Sequence, residues 1–156
     1  MNSKAQQSMN DALSRVFDTS TFLCAYPIED SAEVPERAET VGASIQWFGP
    51  QNGKLILLVD RNLLNELASN MLGATDEAEF TAEQSVDALK EVLNMICGNF
   101  LTSCYGEQSV FDLTPPEWMS PVVVQSAQTA ENNARVRFNL DETLGELIMQ
   151  VDHDRN

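Results

Sequence analysis

The sequence predicts an α+β fold, a single domain in which a largely antiparallel sheet is covered by two long helices and a short one. Apolar residues recur at helical spacing near the N-terminus and again over residues 82–104. Strand-like runs come in pairs that short polar turns separate, a pattern typical of antiparallel hairpins. A chain of 156 residues suits one domain with one hydrophobic core.

The first half of the chain is predicted to form a helix, a hairpin and a short helix. The segment SKAQQSMNDALSRVFDTS brings five apolar residues to one side at helical spacing, namely Ala5, Met9, Leu13, Val16 and Phe17. A charged, irregular stretch (SAEVPERAE) follows. Two strand-like runs then flank the turn signal PQNG, which predicts a hairpin over residues 40–60. The short helix LLNELASNML comes next, with Asp60 or Asn62 as its cap and Gly73 at its C-terminal end.

The second half opens with the longest predicted helix and closes with strands. Thr81 and Gln84 match the capping-box pattern, so this helix should begin near Ala82, run to about Cys104 and end before Gly106. Strands are predicted in the runs QSVFDLT, VVVQSAQTA, ARVRFNLD and ELIMQVDH, with breaks at PPEW, ENN and ETLG. Of these runs, VVVQSAQTA is a candidate sheet edge for pairing with a second chain.

Composition and charge argue against several classes of function. Nine basic and 24 acidic residues give a net charge of -15, so we expect the chain to repel nucleic acid and anionic membranes. This acidity either keeps the protein soluble or complements a basic or metal-bearing partner. Three cysteines without a CxxC pair and a single histidine, His153, predict neither a disulfide framework nor a zinc site. No apolar signal region or membrane span is evident, so a cytoplasmic location is expected.

The long predicted helix has an apolar and a polar face. Drawn as a wheel, residues 82–104 place five apolar side chains within roughly a 100° arc, namely Leu89, Val92, Leu93, Ile96 and Phe100. Nearly opposite, within roughly 60° of one another, lie Asp87, Glu91, Asn94 and Gly98. We call these four residues the polar line.

Two interpretations of the polar line stay open. Polar residues on the outer face of a helix need no function, and Gly98 would also suit tight packing against a neighbouring element of the same protein. Asn and Gly are poor helix formers, however, and Gly costs about 1 kcal/mol relative to Ala in a helix. Their place on this line therefore also suggests a surface that another molecule approaches closely.

The side chains of the polar line can position other reacting groups rather than react themselves. An amide has no useful proton-transfer pKa, so Asn94 cannot act as a general base, but it can hold a water molecule. Glu91 can pair with a cation that a partner supplies. Ser103, Cys104 and Tyr105 form no catalytic triad with the single His153. A site with these groups works only if a partner brings the reacting ones.

The segment DALKEVLNMICGN resembles the active helix of the CheC/CheX/FliY family of chemotaxis phosphatases. That family carries an Asp or Ser, then a Glu four residues later and an Asn three residues after it. Asp87, Glu91 and Asn94 stand at these positions, and the Gly98–Asn99 pair is closest to the CheX type. The predicted order of elements is similar over nearly the whole chain, which implies one CheX-like phosphatase domain over residues 1–156.

The resemblance implies an enzyme that dephosphorylates the aspartyl-phosphate of a response-regulator receiver domain such as CheY. Asn94 would orient the attacking water, Glu91 would pair with a lysine of the receiver, and Asp87 and Gly98 would contact the partner. The chain would need no cofactor of its own, because the receiver would supply Mg²⁺ together with the phosphoryl group. This suits phosphoryl transfer, which depends mostly on positioning and charge stabilisation. A homodimer is also implied.

The resemblance leaves some features without a role. The first helix carries no ExxN motif, so one active helix per chain is expected. Pro115 or Pro116 lies near the place where some family members carry a proline, but the spacing assigns it no role. Two other functions stay open. One is a non-catalytic receiver-docking or scaffold module of the chemotaxis or flagellar-switch type. The other is a general interaction domain whose Glu91 and Asn94 are only solvated.

Overall fold

The computed structural model describes residues 3–29, 37–73, 80–130 and 133–152. Within them the chain forms four α-helices: α1 (Ser3–Val16), α2 (Leu64–Leu72), α3 (Ala82–Tyr105) and α4 (Pro121–Thr129). It also forms seven strands: β1 (Ala25–Pro27), β2 (Thr40–Phe48), β3 (Gly53–Asp60), β4 (Asp112–Leu113), β5 (Glu117–Trp118), β6 (Ala134–Leu140) and β7 (Thr143–Val151). A π-helical turn (Phe17–Thr21) follows α1, and a 3-10 turn (Arg61–Leu63) precedes α2. The α+β class predicted from the sequence is confirmed.

The strands form one antiparallel sheet that is built around two hairpins. Its order is β1-β6-β7-β3-β2, and both β4 and β5 pair with the outer edge of β2. In the first hairpin Thr40 lies opposite Asp60, which confirms the hairpin predicted around PQNG. The second hairpin turns at Asp141 and Glu142, whose φ angles of 49° and 65° lie in the left-handed region that type I′ turns require. The last three residues of the break predicted at ETLG belong to β7 instead.

Helices cover both faces of the sheet, so the core has two parts. On one face, α1, α2 and α3 pack against strand residues that include Leu55 and Leu57 of β3. On the other face, Ile56 and Leu58 of the same strand pack against α4 and Met119. Side chains alternate between the faces along a strand, so β3 needs apolar residues at nearly every position. This explains its unbroken run LILLV.

The local signals that predict α2 and α3 are confirmed. The hydroxyl of Thr81 accepts the N–H of Gln84 at 3.1 Å, and the side chain of Gln84 accepts the N–H of Thr81 at 2.9 Å. These are the two bonds of a capping box. The carboxylate of Asp60 accepts the N–H of Asn62 at 2.9 Å, at the start of the turn before α2. Gly73 ends α2 with a φ of 66°, the left-handed conformation that glycine adopts without strain.

The run VVVQSAQTA is a helix, α4, and the strand predicted for it is wrong. The hydroxyl of Ser120 accepts the N–H of Val123 at 3.4 Å, and Pro121 takes the first helical position, where a missing N–H costs nothing. Val124 is buried against the sheet, whereas Val122 is 73% exposed. The cap and this helical burial outweigh the strand propensity of three consecutive valines. The sheet edge predicted at this run for pairing with a second chain is therefore also wrong.

The strand predicted at QSVFDLT is confirmed only near its end, where β4 spans Asp112–Leu113. The break predicted at PPEW contains a second short strand, β5. Pro115 and Pro116 lie between these two strands. Because proline has no N–H, it cannot continue the hydrogen-bond ladder along β2. The prolines thus divide one edge strand into two short pieces.

Some predicted features lie outside the described residues. These are most of the charged stretch SAEVPERAE, the connector at residues 74–79, the turn at residues 131–132 and His153. Among the residues that the structure does describe, no helix is long and apolar enough to cross a lipid bilayer.

Candidate functional site

Helix α3 holds the polar line in a defined orientation. Its capping box sets where the helix begins, and its five-residue apolar stripe is completely buried. The helix contacts α1 and α2 on either side and β2 beneath it. Because these contacts determine the rotation of the helix about its axis, the opposite face must point outward. The predicted stripe and its orientation are confirmed.

The side chains of the polar line are accessible and have no partner in the described part of the chain. Asp87 and Glu91 are exposed, and Asn94 is half-buried. None of the three makes a side-chain hydrogen bond or an ion pair with another described residue. The neighbouring Asn99 differs, because its amide donates to the backbone carbonyl of Met95 at 2.9 Å. Glu91 and Asn94 are therefore available to a second molecule, whereas Asn99 is engaged within its own helix.

Gly98 borders open space. A Cβ built on this glycine would meet no atom of the described residues within 4 Å outside the backbone of its own helix. The alternative that Gly98 allows tight packing against a neighbouring element of the same protein is therefore wrong. A glycine here leaves a flat spot on the helix, one turn beyond Asn94, and the approach to that spot is unobstructed.

A groove of about 480 Å³ runs beside the polar line. One side of the groove comes from α3, and the other side, which we call the proline wall, is the segment Leu113–Pro116 from the end of β4 toward β5. It is lined by Asp87, Lys90, Glu91, Asn94, Leu113, Thr114, Pro115 and Pro116. The structure thus brings the two prolines, to which the sequence assigned no role, next to three residues of the polar line.

The proline wall is attached to the strand on which α3 packs. On one side of the prolines, β4 pairs with Trp47 and Phe48 of β2. On the other side, β5 pairs with the same strand nearer its N-terminal end. Between these pairings, the N–H of Thr114 donates to the carbonyl of Gln46 at 3.0 Å, and the hydroxyl of Thr114 accepts the N–H of Gln46 at 3.0 Å. Both walls of the groove are therefore attached to the same strand, β2.

The thiols of this helix do not provide a nucleophile for the groove. Cys97 lies on the buried face, and burial raises the pKa of its thiol to about 12. Burial also raises the pKa of Cys104. Both thiols stay protonated at neutral pH, and only the thiolate is a good nucleophile. They act as small apolar residues.

The chemistry of the site consists of one carboxylate that can pair with a cation and one amide that can orient a water molecule. The described residues contain no group of three or more His, Cys, Asp or Glu side chains that could hold a metal ion. The sequence interpretation missed Lys90 and the proline wall. Lys90 is adjacent to Glu91 and four residues before Asn94, so its place beside the polar line follows from helical spacing. Nothing local in the sequence shows that residues 113–116 fold back onto α3.

Comparison with known proteins gives both a family and a fold. The family model described as chemotaxis phosphatase CheX matches residues 41–139, a span that includes all of α3 and the proline wall. No curated protein matches the chain at a significant level.

Several crystal structures share the fold. The chemotaxis protein CheX from Desulfovibrio desulfuricans has a TM-score of 0.72 at 15% identity, covering 95% of this chain and 99% of that one. CheX from Vibrio vulnificus has a TM-score of 0.72 at 19% identity, with 97% and 100% covered. A Borrelia burgdorferi CheX, solved with CheY, BeF3 and Mg²⁺, has a TM-score of 0.62 at 19% identity, with 94% and 97% covered. The family model extends over more than half of the chain, and the chain belongs to the CheX family of chemotaxis phosphatases.

Proposed function

We propose that this protein hydrolyses the aspartyl-phosphate of a CheY-like response-regulator receiver domain. One observation carries the proposal. Glu91 and Asn94 lie one turn apart on the outward face of α3, and their side chains make no hydrogen bond or ion pair within the described part of the chain. Family membership supplies the reaction class, and the solved complex of a CheX with CheY shows that one member of the family binds such a partner.

Each polar side chain has a separate role in the proposed reaction. Asn94 holds a water molecule through its amide and aligns it with the phosphorus atom. The water oxygen bonds to phosphorus as the bond from phosphorus to the aspartate oxygen breaks; the aspartate becomes a free carboxylate, and both hydrogens of the water leave with the phosphate product. Glu91 pairs with the lysine of the receiver and so secures the orientation of the two proteins. Neither residue needs to accept a proton, because the reaction depends on alignment and charge stabilisation.

The partner is expected to provide the remaining groups. The phosphoryl group, its Mg²⁺ ion and the lysine all belong to the receiver in this proposal, and the Borrelia burgdorferi complex contains Mg²⁺ and BeF3 together with CheY. The contribution of this chain is a preformed surface. Because α3 is capped and packed on a sheet, the backbone that carries Glu91 and Asn94 needs little ordering on binding, and that lowers the entropic cost of alignment.

Asp87 and Gly98 are proposed to contact the receiver on either side of the reacting pair. Asp87 is exposed at the groove, one turn before Glu91. Gly98 borders open space one turn after Asn94. A receiver that lies along α3 would meet the carboxylate at one end and the flat spot at the other.

The activity can be tested with a cognate receiver phosphorylated by a small phosphodonor. The wild-type protein should accelerate loss of phosphate, and Asn94→Ala should reduce that acceleration about a hundredfold, the order of magnitude expected for a misplaced reactant. Glu91→Ala should weaken both binding and turnover. Asn99→Ala is the matched control, because that amide is engaged with Met95 and turned away from the polar line; it should be near wild type.

The same experiment distinguishes the non-catalytic alternative. A receiver-docking or scaffold module would use the same face of α3 and would bind the activated receiver without changing its rate of dephosphorylation. Absence of any acceleration by the wild-type protein would contradict the enzymatic proposal, and retained binding would then indicate the docking module. Absence of both would leave a general interaction domain.

We also propose a homodimer, as the family resemblance implies, in the cytoplasm, the location that the sequence predicts. The outer strands of the described sheet are β1 at one edge and β4 with β5 at the other, and unpaired strand edges are the usual sites of sheet extension. Sedimentation velocity over a range of protein concentrations tests this, with a single monomeric species at all concentrations as the contrary result.

A further inference from the structure

The groove beside the polar line contains one cationic side chain, that of Lys90. Within the described residues, Lys90 makes no ion pair and no side-chain hydrogen bond, although Asp87 and Glu91 line the same groove. Three arginines of the chain are engaged in ion pairs: Arg37 and Arg135 pair with Glu146, and Arg61 pairs with Glu39. In a chain with 24 acidic and nine basic residues, the cation that lines this groove is thus available to an acidic group of a second molecule.

The surroundings of Lys90 favour a charged contact with another molecule. The side chain is half-buried, and the opposite wall of the groove is largely apolar, because Leu113, Pro115 and Pro116 form it. A lysine stem can lie along such a wall while the ammonium remains in water. A partner that covers the groove would exclude part of that water and so strengthen the attraction between the ammonium and an opposite charge.

The direction of the side chain separates Lys90 from the reacting phosphoryl group. Side chains of an α-helix lean toward its N-terminus, so Lys90 extends toward Asp87 and away from Asn94. A contact of the ammonium is therefore expected about one turn from the position proposed for the attacking water. This placement favours a carboxylate at the edge of the partner's docking surface over the phosphoryl oxygens themselves.

We propose that Lys90 is a specificity contact that pairs with an acidic side chain of the receiver in the groove between α3 and residues 113–116. The inference rests on the proposed function, since it names a contact of the same docking surface. Over most of its surface a chain with a net charge of -15 repels acidic groups. A single cation beside the polar line would therefore select receivers that carry a carboxylate at the matching place.

The test measures binding and turnover separately. Affinity for the receiver activated with BeF3 and Mg²⁺ is measured for the wild type, Lys90→Met and Lys90→Glu, together with the dephosphorylation rate at saturating phosphorylated receiver. Loss of a partly exposed ion pair should raise Kd about threefold in Lys90→Met, and charge reversal should raise it about tenfold. The change should arise mainly from slower association and shrink at about 0.5 M salt. The saturating rate should stay at the wild-type value.

Lys54 provides the matched control. It is also a half-buried lysine without an ion pair among the described residues, but it follows the register of Ile56 and therefore lies on the face of the sheet opposite to α3. Lys54→Met and Lys54→Glu should leave Kd unchanged. An equal effect at Lys54 would mean that only net charge matters, and would overturn the proposal. The acidic surface residues of the receiver are then replaced by lysine one at a time. One of these receiver variants, the one that lacks the carboxylate paired with Lys90, should restore the affinity of Lys90→Glu.

The remaining outcomes are also decisive. An unchanged Kd and salt dependence in Lys90→Glu would overturn the proposal, as would a reduced saturating rate with unchanged Kd, which would place the ammonium at the phosphoryl group. If the wild type binds the activated receiver without accelerating hydrolysis, the enzymatic proposal fails, yet the Kd values still decide the role of Lys90. If the wild type does not bind at all, both proposals fail.

Discussion

Trp47 lies directly across the β2–β3 pairing from Gly53, and its indole ring occupies the space that a side chain on Gly53 would need. The ring is completely buried and packs 5.8 Å, centroid to centroid, from the ring of Phe100 in α3. The β6–β7 hairpin repeats the arrangement, with Phe138 across from Gly145. In both hairpins, a glycine lets an aromatic ring lie across the neighbouring strand beneath the helices. The polar line is thus carried by a helix that rests on this indole.

Replacement of Gly53 by alanine should destabilise the fold by about 2 kcal/mol, because the added Cβ overlaps the indole and forces a shift in a packed core. Urea denaturation measures this loss. A second variant, Trp47→Leu, removes the ring and also destabilises. In the double variant the alanine has room, so its added cost should be much smaller than in the wild type. Strictly additive losses would contradict the proposed contact.

A buried ion triad on the α4 side of the sheet joins Arg37 to two residues of the β6–β7 hairpin, Arg135 and Glu146. Glu146 is 4% exposed, and its carboxylate accepts from Arg37 at 2.6 Å and from Arg135 at 2.7 Å. Arg135 also donates to backbone carbonyls at the C-terminal end of α4, those of Ala127, Gln128 and Ala130. These carbonyls have no partner within the helix, and a cation there also complements the helix dipole.

Glu146→Gln should lower the free energy of unfolding by about 3 kcal/mol, because removal of the carboxylate leaves two nearby guanidinium groups without their counter-charge. Chemical denaturation monitored by circular dichroism measures the change. Glu39→Gln is the matched control, since Glu39 pairs with Arg61 at the surface, where the two side chains are 57% and 52% exposed. It should cost less than about 1 kcal/mol. Comparable losses in the two variants would show that burial adds nothing to the triad.

Local signals account for the parts of the fold that the sequence predicts well. The capping box at Thr81, the glycine at position 73 and the apolar stripe of α3 each act within one helix or at its ends, so they depend little on the rest of the fold. The strand predicted at residues 122–130 failed because valine propensity is weak compared with the cap that Ser120 provides.

Long-range features account for what the sequence could not show. Pro115 and Pro116 come to lie beside Asn94 only because β4 and β5 both pair with β2. The Arg37–Glu146 pair joins residues 109 positions apart. No periodicity or motif encodes either relationship. The polar line, in contrast, is visible in the sequence because all of its members belong to one helix.

Cys97 should make stability fall at alkaline pH. Burial raises the pKa of its thiol from an ordinary value of 9.0 to about 12, so between these values the unfolded chain loses the proton while the folded chain keeps it. The folded state then binds more protons, and the stabilisation, fully present below pH 9, is lost as the pH rises toward 12. The limiting slope for one group is about 1.4 kcal/mol per pH unit.

Cys97→Ala isolates this effect from the other groups that titrate in the same range. The free energy of unfolding is measured for the wild type and the variant at steps between pH 8 and pH 10.5. The variant should start less stable, because a buried side chain is shortened, but its stability should fall less steeply above pH 9. Parallel curves would show that the Cys97 thiol does not contribute.

Gly98→Ala should stabilise the protein by about 0.5–1 kcal/mol, because alanine is the better helix former and its Cβ meets only open space. Gly73→Ala is the matched control: it also borders open space, but its φ of 66° strains any other residue, so it should destabilise by about 1 kcal/mol. Thermal and urea unfolding measure both.

A bulkier variant, Gly98→Leu, should also fold. If the receiver lies against this spot, the variant should reduce acceleration of receiver dephosphorylation about tenfold or more, because overpacking costs about 1–3 kcal/mol. Full activity in a folded Gly98→Leu variant would exclude close approach of the receiver at Gly98.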